Sequence, residues 1–159
     1  MQAMASTENA DRIVDSIEQS FSRLFVLVRG NLREAAAMID PDLQPAGWSV
    51  LRYVVRHPPA QSGAIVAATG MDKTAVSRQL KELRARGLVD AEHDAADGRV
   101  LLFTPTEEAE RRVALVLEMW TGRFRSLLST WEPADLETFS DLLERFVEDS
   151  PIPGGPRTS

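Results

Sequence analysis

Apolar residues recur along this chain at helical spacing in six stretches and crowd into short runs in two others. Ile13, Ile17, Leu24, Leu27 and Val28 fall three or four residues apart, with Glu8, Arg12, Glu18 and Arg23 elsewhere on the cylinder. That spacing predicts a long helix over about residues 7–40, ended by Pro41, because the residue before a proline is pushed out of the helical region. A second helix starts near Pro45, where proline suits a first turn, and carries Trp48, Leu51, Val54 and Val55 before Pro58 and Pro59 stop it. A short helix over about residues 62–69 is closed by Gly70. Asp72 is then placed to cap a fourth helix, whose Val76, Leu80 and Leu83 face inward and which Gly87 ends.

Residues 88–92 and 100–104 form two short apolar runs separated by His93, Asp94, Ala95, Ala96, Asp97, Gly98 and Arg99. The Asp-Gly step suits a β-turn, so a hairpin with a long polar tip is predicted. Thr106, followed by Glu107 and Glu108, opens a long helix to about Ser129, with Val113, Leu117, Trp120, Phe124 and Leu127 or Leu128 along its stripe. Glu132 and Pro133 start a last helix to about Glu148, with Leu136, Phe139, Leu143 and Phe146 on its apolar face. The predicted order is α-α-α-α-β-β-α-α, a mainly α fold with a small β-hairpin. A lone hairpin is marginal in water, so it must lean on the helices around it.

Helix, tight turn, helix, then hairpin is the winged helix-turn-helix arrangement, in which the second helix of the pair enters the DNA major groove. The stretch from Asp72 to Arg86 meets that requirement: one face is apolar, and the other offers Lys73, Thr74, Ser77, Arg78 and Lys81. The first four of these outer residues are placed to reach bases or flanking phosphates, while Lys81 and Arg84 suit phosphates further along. Arg99, at the end of the polar tip, suits a narrow minor groove, where the potential is most negative. Asp94 and Asp97 look wrong for phosphate contact; one of them is expected to hold the Arg99 side chain extended by a charge-assisted hydrogen bond.

Composition changes this picture in one place. The chain has 159 residues, 43% hydrophobic and 26% charged, with a net charge of −6, which looks wrong for a nucleic-acid binder. Its distribution resolves the difficulty. Between Lys73 and Leu88, five cations (Lys73, Arg78, Lys81, Arg84, Arg86) stand against Glu82 alone, a local net of +4. Between Glu132 and Asp149, seven acids stand against Arg145 alone, a local net of −6. The acidity belongs to the C-terminal segment, and a basic face survives in the middle.

Other function classes find little support. There is no cysteine, which removes disulfides and thiolate metal sites. His57 and His93 are the only histidines, and no carboxylate pair or nucleophile is arranged around them, so neither an enzyme nor a metal site is expected. Gly98, Gly154 and Gly155 form no phosphate-cradling motif, and no cofactor is expected. Residues 1–10 lack both a basic start and an apolar run, and the longest apolar runs, such as residues 24–28 and 113–117, are five residues long. That is far short of the roughly 18 that span a bilayer, so no membrane association and a cytoplasmic location are expected.

The run Gly70-Met71-Asp72-Lys73-Thr74-Ala75-Val76-Ser77-Arg78-Gln79-Leu80, then Leu83-Arg84-Ala85-Arg86-Gly87-Leu88-Val89, then Asp94-Ala95-Ala96-Asp97-Gly98-Arg99 and Leu102-Phe103-Thr104, resembles the core of the multiple-antibiotic-resistance regulator (MarR) family. The resemblance covers about residues 61–108 and extends loosely, through helix number and order, over nearly the whole chain. It implies base and phosphate contacts from Thr74, Ser77 and Arg78, a minor-groove contact from Arg99, and a transcriptional repressor on a pseudo-palindromic DNA site. Two positions depart from the family pattern: Ala91 stands where arginine is frequent, and Ala109 where glycine is usual.

The resemblance also implies an intertwined homodimer formed by the chain ends, with Ile13, Ile17, Leu136, Phe139, Leu143 and Phe146 at the interface; otherwise these are core positions of a monomer. It implies a small aromatic or phenolic effector in a cleft for which Phe25, Arg29, Trp48, Arg52 and Trp120 are the candidates; otherwise the aromatics are core and the arginines solvated. On this organisation residues 1–149 are one domain, with a winged helix-turn-helix lobe over about 45–105, dimerisation helices at 7–40 and 106–149, and a disordered tail over 150–159. The alternative function is a winged-helix module that binds protein, its basic helix a solvated face.

Overall fold

A computed structural model describes the backbone of residues 2–149 and the side chains of residues 8–149; the tail expected over 150–159 lies outside the described residues. Helix α1 spans Gln2–Ile39 and α2 spans Pro45–Arg56, joined by a turn in which Asp40 Oδ1 accepts from the Asp42 N–H at 2.9 Å. Helix α1 begins about five residues before the predicted start near residue 7. Strand β1, Ala60–Gln61, comes next, then α3, Ser62–Thr69, and α4, Lys73–Ala85. Strands β2, Val89–His93, and β3, Leu101–Pro105, form the hairpin, and α5, Glu107–Leu128, and α6, Pro133–Glu148, complete the order.

The hairpin is not alone. Strand β1 pairs antiparallel with β3, Ala60 opposite Phe103 and Gln61 opposite Leu102, which gives a three-stranded sheet in the order β1-β3-β2. The other pairing sets Val89 opposite Pro105, Ala91 opposite Phe103 and His93 opposite Leu101. Here the structure adds an element to the predicted order: two residues are too few to generate a periodic signal, but they supply the third strand that a marginal hairpin needs.

The described residues fall into two compact units, divided between Trp48 and Ser49. In the second unit, Leu51, Val54, Ile65, Val76, Leu83, Leu88 and Val89 are buried, as is Phe103 in the middle of the sheet. Each such side chain removed from water contributes about 1.5–3 kcal/mol before conformational entropy is set against it. In the first unit, Ala35, Ala36, Ile39, Leu43 and Trp48 are buried, whereas every residue of α1 from Glu8 to Gly30 except the half-buried Phe21 is exposed. Helix α6 buries none of its side chains, and only Ala109, Val113 and Val116 are buried on α5. Among the described residues no helix is long and apolar enough to cross a membrane.

Candidate nucleic-acid interface

The local chemistry that aims α4 is explicit at both ends. Gly70 adopts φ 69°, a left-handed conformation that costs glycine little, and its N–H donates to the Val66 carbonyl at 3.0 Å, closing α3. Asp72 takes extended geometry two residues later, and its Oδ1 accepts from the Ala75 N–H at 2.8 Å. That bond satisfies one of the donors a helix start leaves open. At the far end Gly87 adopts φ 66°; the Gly87 N–H donates to Arg84 and the Leu88 N–H to Leu83, each at 3.0 Å. This pair of bonds is a Schellman motif, and it turns the chain directly into β2.

With its ends fixed, α4 buries Val76, Gln79, Leu80 and Leu83 and turns Lys73, Thr74, Ser77, Arg78, Lys81 and Arg84 to solvent. Arg86 behaves differently from the other cations of the segment. Its guanidinium sits 2.9 Å from Glu82, one helical turn back, so the two charges cancel and the positive face reduces to Lys73, Arg78, Lys81 and Arg84.

Two concave surfaces run along this face. One, of about 610 Å³, lies between the start of α3 (Ser62, Gly63), the flank of α4 (Lys73, Lys81, Arg84) and the wing (Arg99), over an apolar floor of Leu80, Leu101 and Phe103. The other, of about 460 Å³, is lined by Lys73, Thr74, Ser77, Arg78 and Lys81. All seven residues proposed from sequence to contact DNA therefore line two concavities that share Lys73, Ser77 and Lys81. Among the described residues none of their cationic groups has a carboxylate within ion-pair distance. A cluster of uncompensated cations around a groove attracts a polyanion, and the spacing of side chains on one helix face suits the edges of base pairs.

The wing is braced, but not as its sequence suggested. Asp94 Oδ1 accepts from the Ala96 N–H at 2.8 Å and Asp97 Oδ1 from the Arg99 N–H at 3.0 Å. The Asp94 N–H also donates to the Val100 carbonyl, and the Val100 N–H to the Asp97 carbonyl, each at 2.9 Å. Both carboxylates thus fold the loop backbone, and among the described residues neither engages the Arg99 guanidinium, where a charge-assisted hydrogen bond from one of them was expected. Aspartate commonly accepts from a backbone N–H two residues on, so this outcome is the local one.

Sequence reasoning missed three contributors. Ser62 and Gly63 join the groove because β1 pins the start of α3 beside β3, and Leu101 forms part of its floor. Thr106 was identified as a cap, and its Oγ1 does accept from the Ala109 N–H at 3.3 Å. The same hydroxyl also donates to the Gly87 carbonyl at 3.0 Å, and the Thr106 N–H donates to the Leu88 carbonyl at 3.1 Å, tying the start of α5 to the end of α4.

The remaining candidates are spread over both units. Trp48 is fully buried in the first, and Phe25 and Arg29 are exposed there; Arg52 is exposed and Trp120 half-buried in the second. Of the interface candidates, Ile13, Ile17, Phe139, Leu143 and Phe146 are exposed and Leu136 is half-buried.

A three-helix core with a braced hairpin beside a basic outer helix defines a winged helix-turn-helix protein of the DNA-binding class. Residues 42–100 match the model of the MarR family. Over 104 residues the chain is 28% identical to the HTH-type transcriptional regulator YxaD of Bacillus subtilis, covering 65% of this chain and 73% of that one. Its fold is shared with YusO of Bacillus subtilis (TM-score 0.71, 19% identity, 89% of this chain and 99% of that one). A MarR-family regulator of Listeria monocytogenes, solved in complex with a 26mer DNA, has the same fold (TM-score 0.64, 18% identity, 81% of this chain and 87% of that one). Over its winged-helix lobe the chain is thus similar to MarR-family transcriptional regulators, and it shares their fold.

Proposed function

We propose that this regulator represses transcription in the cytoplasm by binding a pseudo-palindromic operator as a homodimer, each protomer placing α4 in the major groove and the wing over the adjacent minor groove. The observation that carries this reading is the shared groove: Lys73, Lys81 and Arg84 of α4 and Arg99 of the wing line one concavity, and among the described residues no carboxylate is paired to any of them. Arg78 and Thr74 serve base recognition near the helix start, Lys73 and Ser77 serve bases or flanking phosphates, and Lys81 and Arg84 hold the backbone. Arg99 reads groove width and A·T content rather than individual bases. The exposed apolar stripes of α1, α5 and α6 support the homodimer, since a second copy is the simplest cover for them. A small aromatic or phenolic ligand releases the complex by binding one lobe separation better than the other, because a ligand with equal affinity for both shifts nothing.

Fluorescence anisotropy of the purified protein tests the reading, with the DNA upstream of its own gene against a scrambled duplex at two salt concentrations. Specific binding at least about a thousandfold tighter than to the scrambled duplex, falling steeply with salt, is the expected result. Equal weak binding to both, persisting in a genome-wide selection of bound fragments, would leave the winged helix as a protein-binding module.

A further inference from the structure

The positive groove holds one apolar side chain that its charge does not account for. Among the described residues from 49 to 106, Leu101 is the one large hydrophobic side chain left exposed, at 38%. A single exposed leucine is ordinary; the position of this one is not. Alternation along β3 sets it on the same face of the sheet as the buried Phe103, and with Leu80 the two form the floor of the 610 Å³ concavity. Around that floor stand Lys73, Lys81, Arg84 and Arg99, none of them paired with a carboxylate among the described residues. An occupant that fits must offer negative charge at the rim and carbon at the floor.

It must also be long. Lys73 and Arg84 stand eleven residues apart on α4, about 16 Å along the helix. A small carboxylate meets one end of that line only. A DNA strand presents a phosphate about every 3.4 Å of duplex axis, with a deoxyribose, the carbon-rich part of the backbone, between successive phosphates. Groove topology then selects the part of the duplex that arrives. Major and minor grooves adjoin only across a sugar-phosphate strand, so a protein with α4 in one and Arg99 in the next straddles that strand. Resting on the groove placement proposed above, we infer that the concavity between α4 and the wing is a channel for one sugar-phosphate strand, whose phosphates meet the four cations and whose deoxyribose carbons pack on Leu101. Such a contact carries no base information. Leu101 supports every sequence alike, as a phosphate contact does, yet it releases no counterions and adds nothing to the salt dependence.

Anisotropy of the full chain with the upstream and scrambled duplexes, at two salt concentrations, reads this signature. Leu101→Gln is expected to weaken binding to both duplexes about tenfold and to leave both salt slopes unchanged. A loss confined to the upstream duplex would make Leu101 a base contact, and a lowered slope would make it part of the phosphate contacts; either overturns the inference. Unchanged affinity for both duplexes removes the channel and leaves the groove placement standing, whereas failure of the wild type to bind either duplex removes both. Hydroxyl-radical cleavage, which attacks exposed deoxyriboses, supplies a second measurement on the unaltered protein. In each half-site it is expected to show a short run of shielded sugars on the strand between the major-groove and minor-groove contacts. Sugars cut there as fast as in free DNA would overturn the channel whatever the variant does.

Discussion

The winged-helix lobe and helix α6 carry apolar stripes of the same period, yet within one chain their side chains end in opposite environments. Val76, Leu80 and Leu83 of α4 are at most 3% exposed, whereas Phe139, Leu142, Leu143 and Phe146 of α6 range from 42% to 49%. Both helices are amphipathic. What separates them is the supply of partners: α4 has α3 and β2 against it, whereas among the described residues α6 buries no side chain. The period of a sequence says which face of a helix is apolar; it does not say whether the same chain covers that face. A helix that fails to bury its stripe marks where the molecule is unfinished.

Five experiments would break or sharpen this contrast. The largest effect falls on the finished side: Leu83→Ala removes fully buried atoms and is expected to cost about 2–5 kcal/mol in urea unfolding. A loss below about 1 kcal/mol would mean the lobe is not tightly packed. On the unfinished side, if α6 lies in the proposed homodimer interface, Leu143→Ala is expected to leave secondary structure intact but weaken dimerisation by about 3 kcal/mol over the two copies, roughly a hundredfold in the dissociation constant by analytical ultracentrifugation. An unchanged dissociation constant would place α6 outside the interface. Within the lobe, Arg78→Ala should lose about 1–3 kcal/mol of discrimination between operator and mismatched duplexes, whereas Lys81→Ala weakens both alike and lowers the salt slope by about 0.9. Equal behaviour of the two variants would overturn the division between base and backbone contacts.

A smaller effect, about 1 kcal/mol, is expected when the α4 cap is removed by Asp72→Ala, read from thermal unfolding. The smallest is a matter of pH. Hydrogen bonds from Arg112 and Arg111 hold the Glu108 carboxyl below its ordinary value of 4.5. Its folded pKa is therefore depressed, so its contribution is present above the unfolded value and lost as pH falls through the folded one. Wild type and Glu108→Gln should differ slightly in Tm at neutral pH and converge as the pH is taken below 4.5; a gap that widens in acid would contradict the pairing.

The long helices were legible in the sequence because each repeats its spacing over several turns, and the helix boundaries at Gly70, Asp72, Gly87, Thr106 and Pro133 were legible because each of those residues has a specific local role. Strand β1 was not legible, since Ala60 and Gln61 become a strand only when β3 arrives from some forty residues along the chain. For the same reason Ser62, Gly63 and Leu101 escaped the candidate site while the cations of α4 did not: those cations share one helix, and their neighbourhood follows from its period alone. The neutralisation of Arg86 by Glu82 was readable from their four-residue spacing. The destination of the Asp94 and Asp97 carboxylates was not, because backbone N–H groups and a guanidinium compete for them and only the loop geometry decides.

Thr106 joins the carbonyl that follows α4 to the first turn of α5 through one hydroxyl. Helix α5 is 22 residues long, about 33 Å from this joint to its far end. Helix α5 is thus roughly as long as one turn of B-DNA, the distance that separates two half-sites of a dimeric DNA-binding protein. By geometry, a rigid tilt of α5 by a few degrees at the joint corresponds to a few ångströms at its far tip.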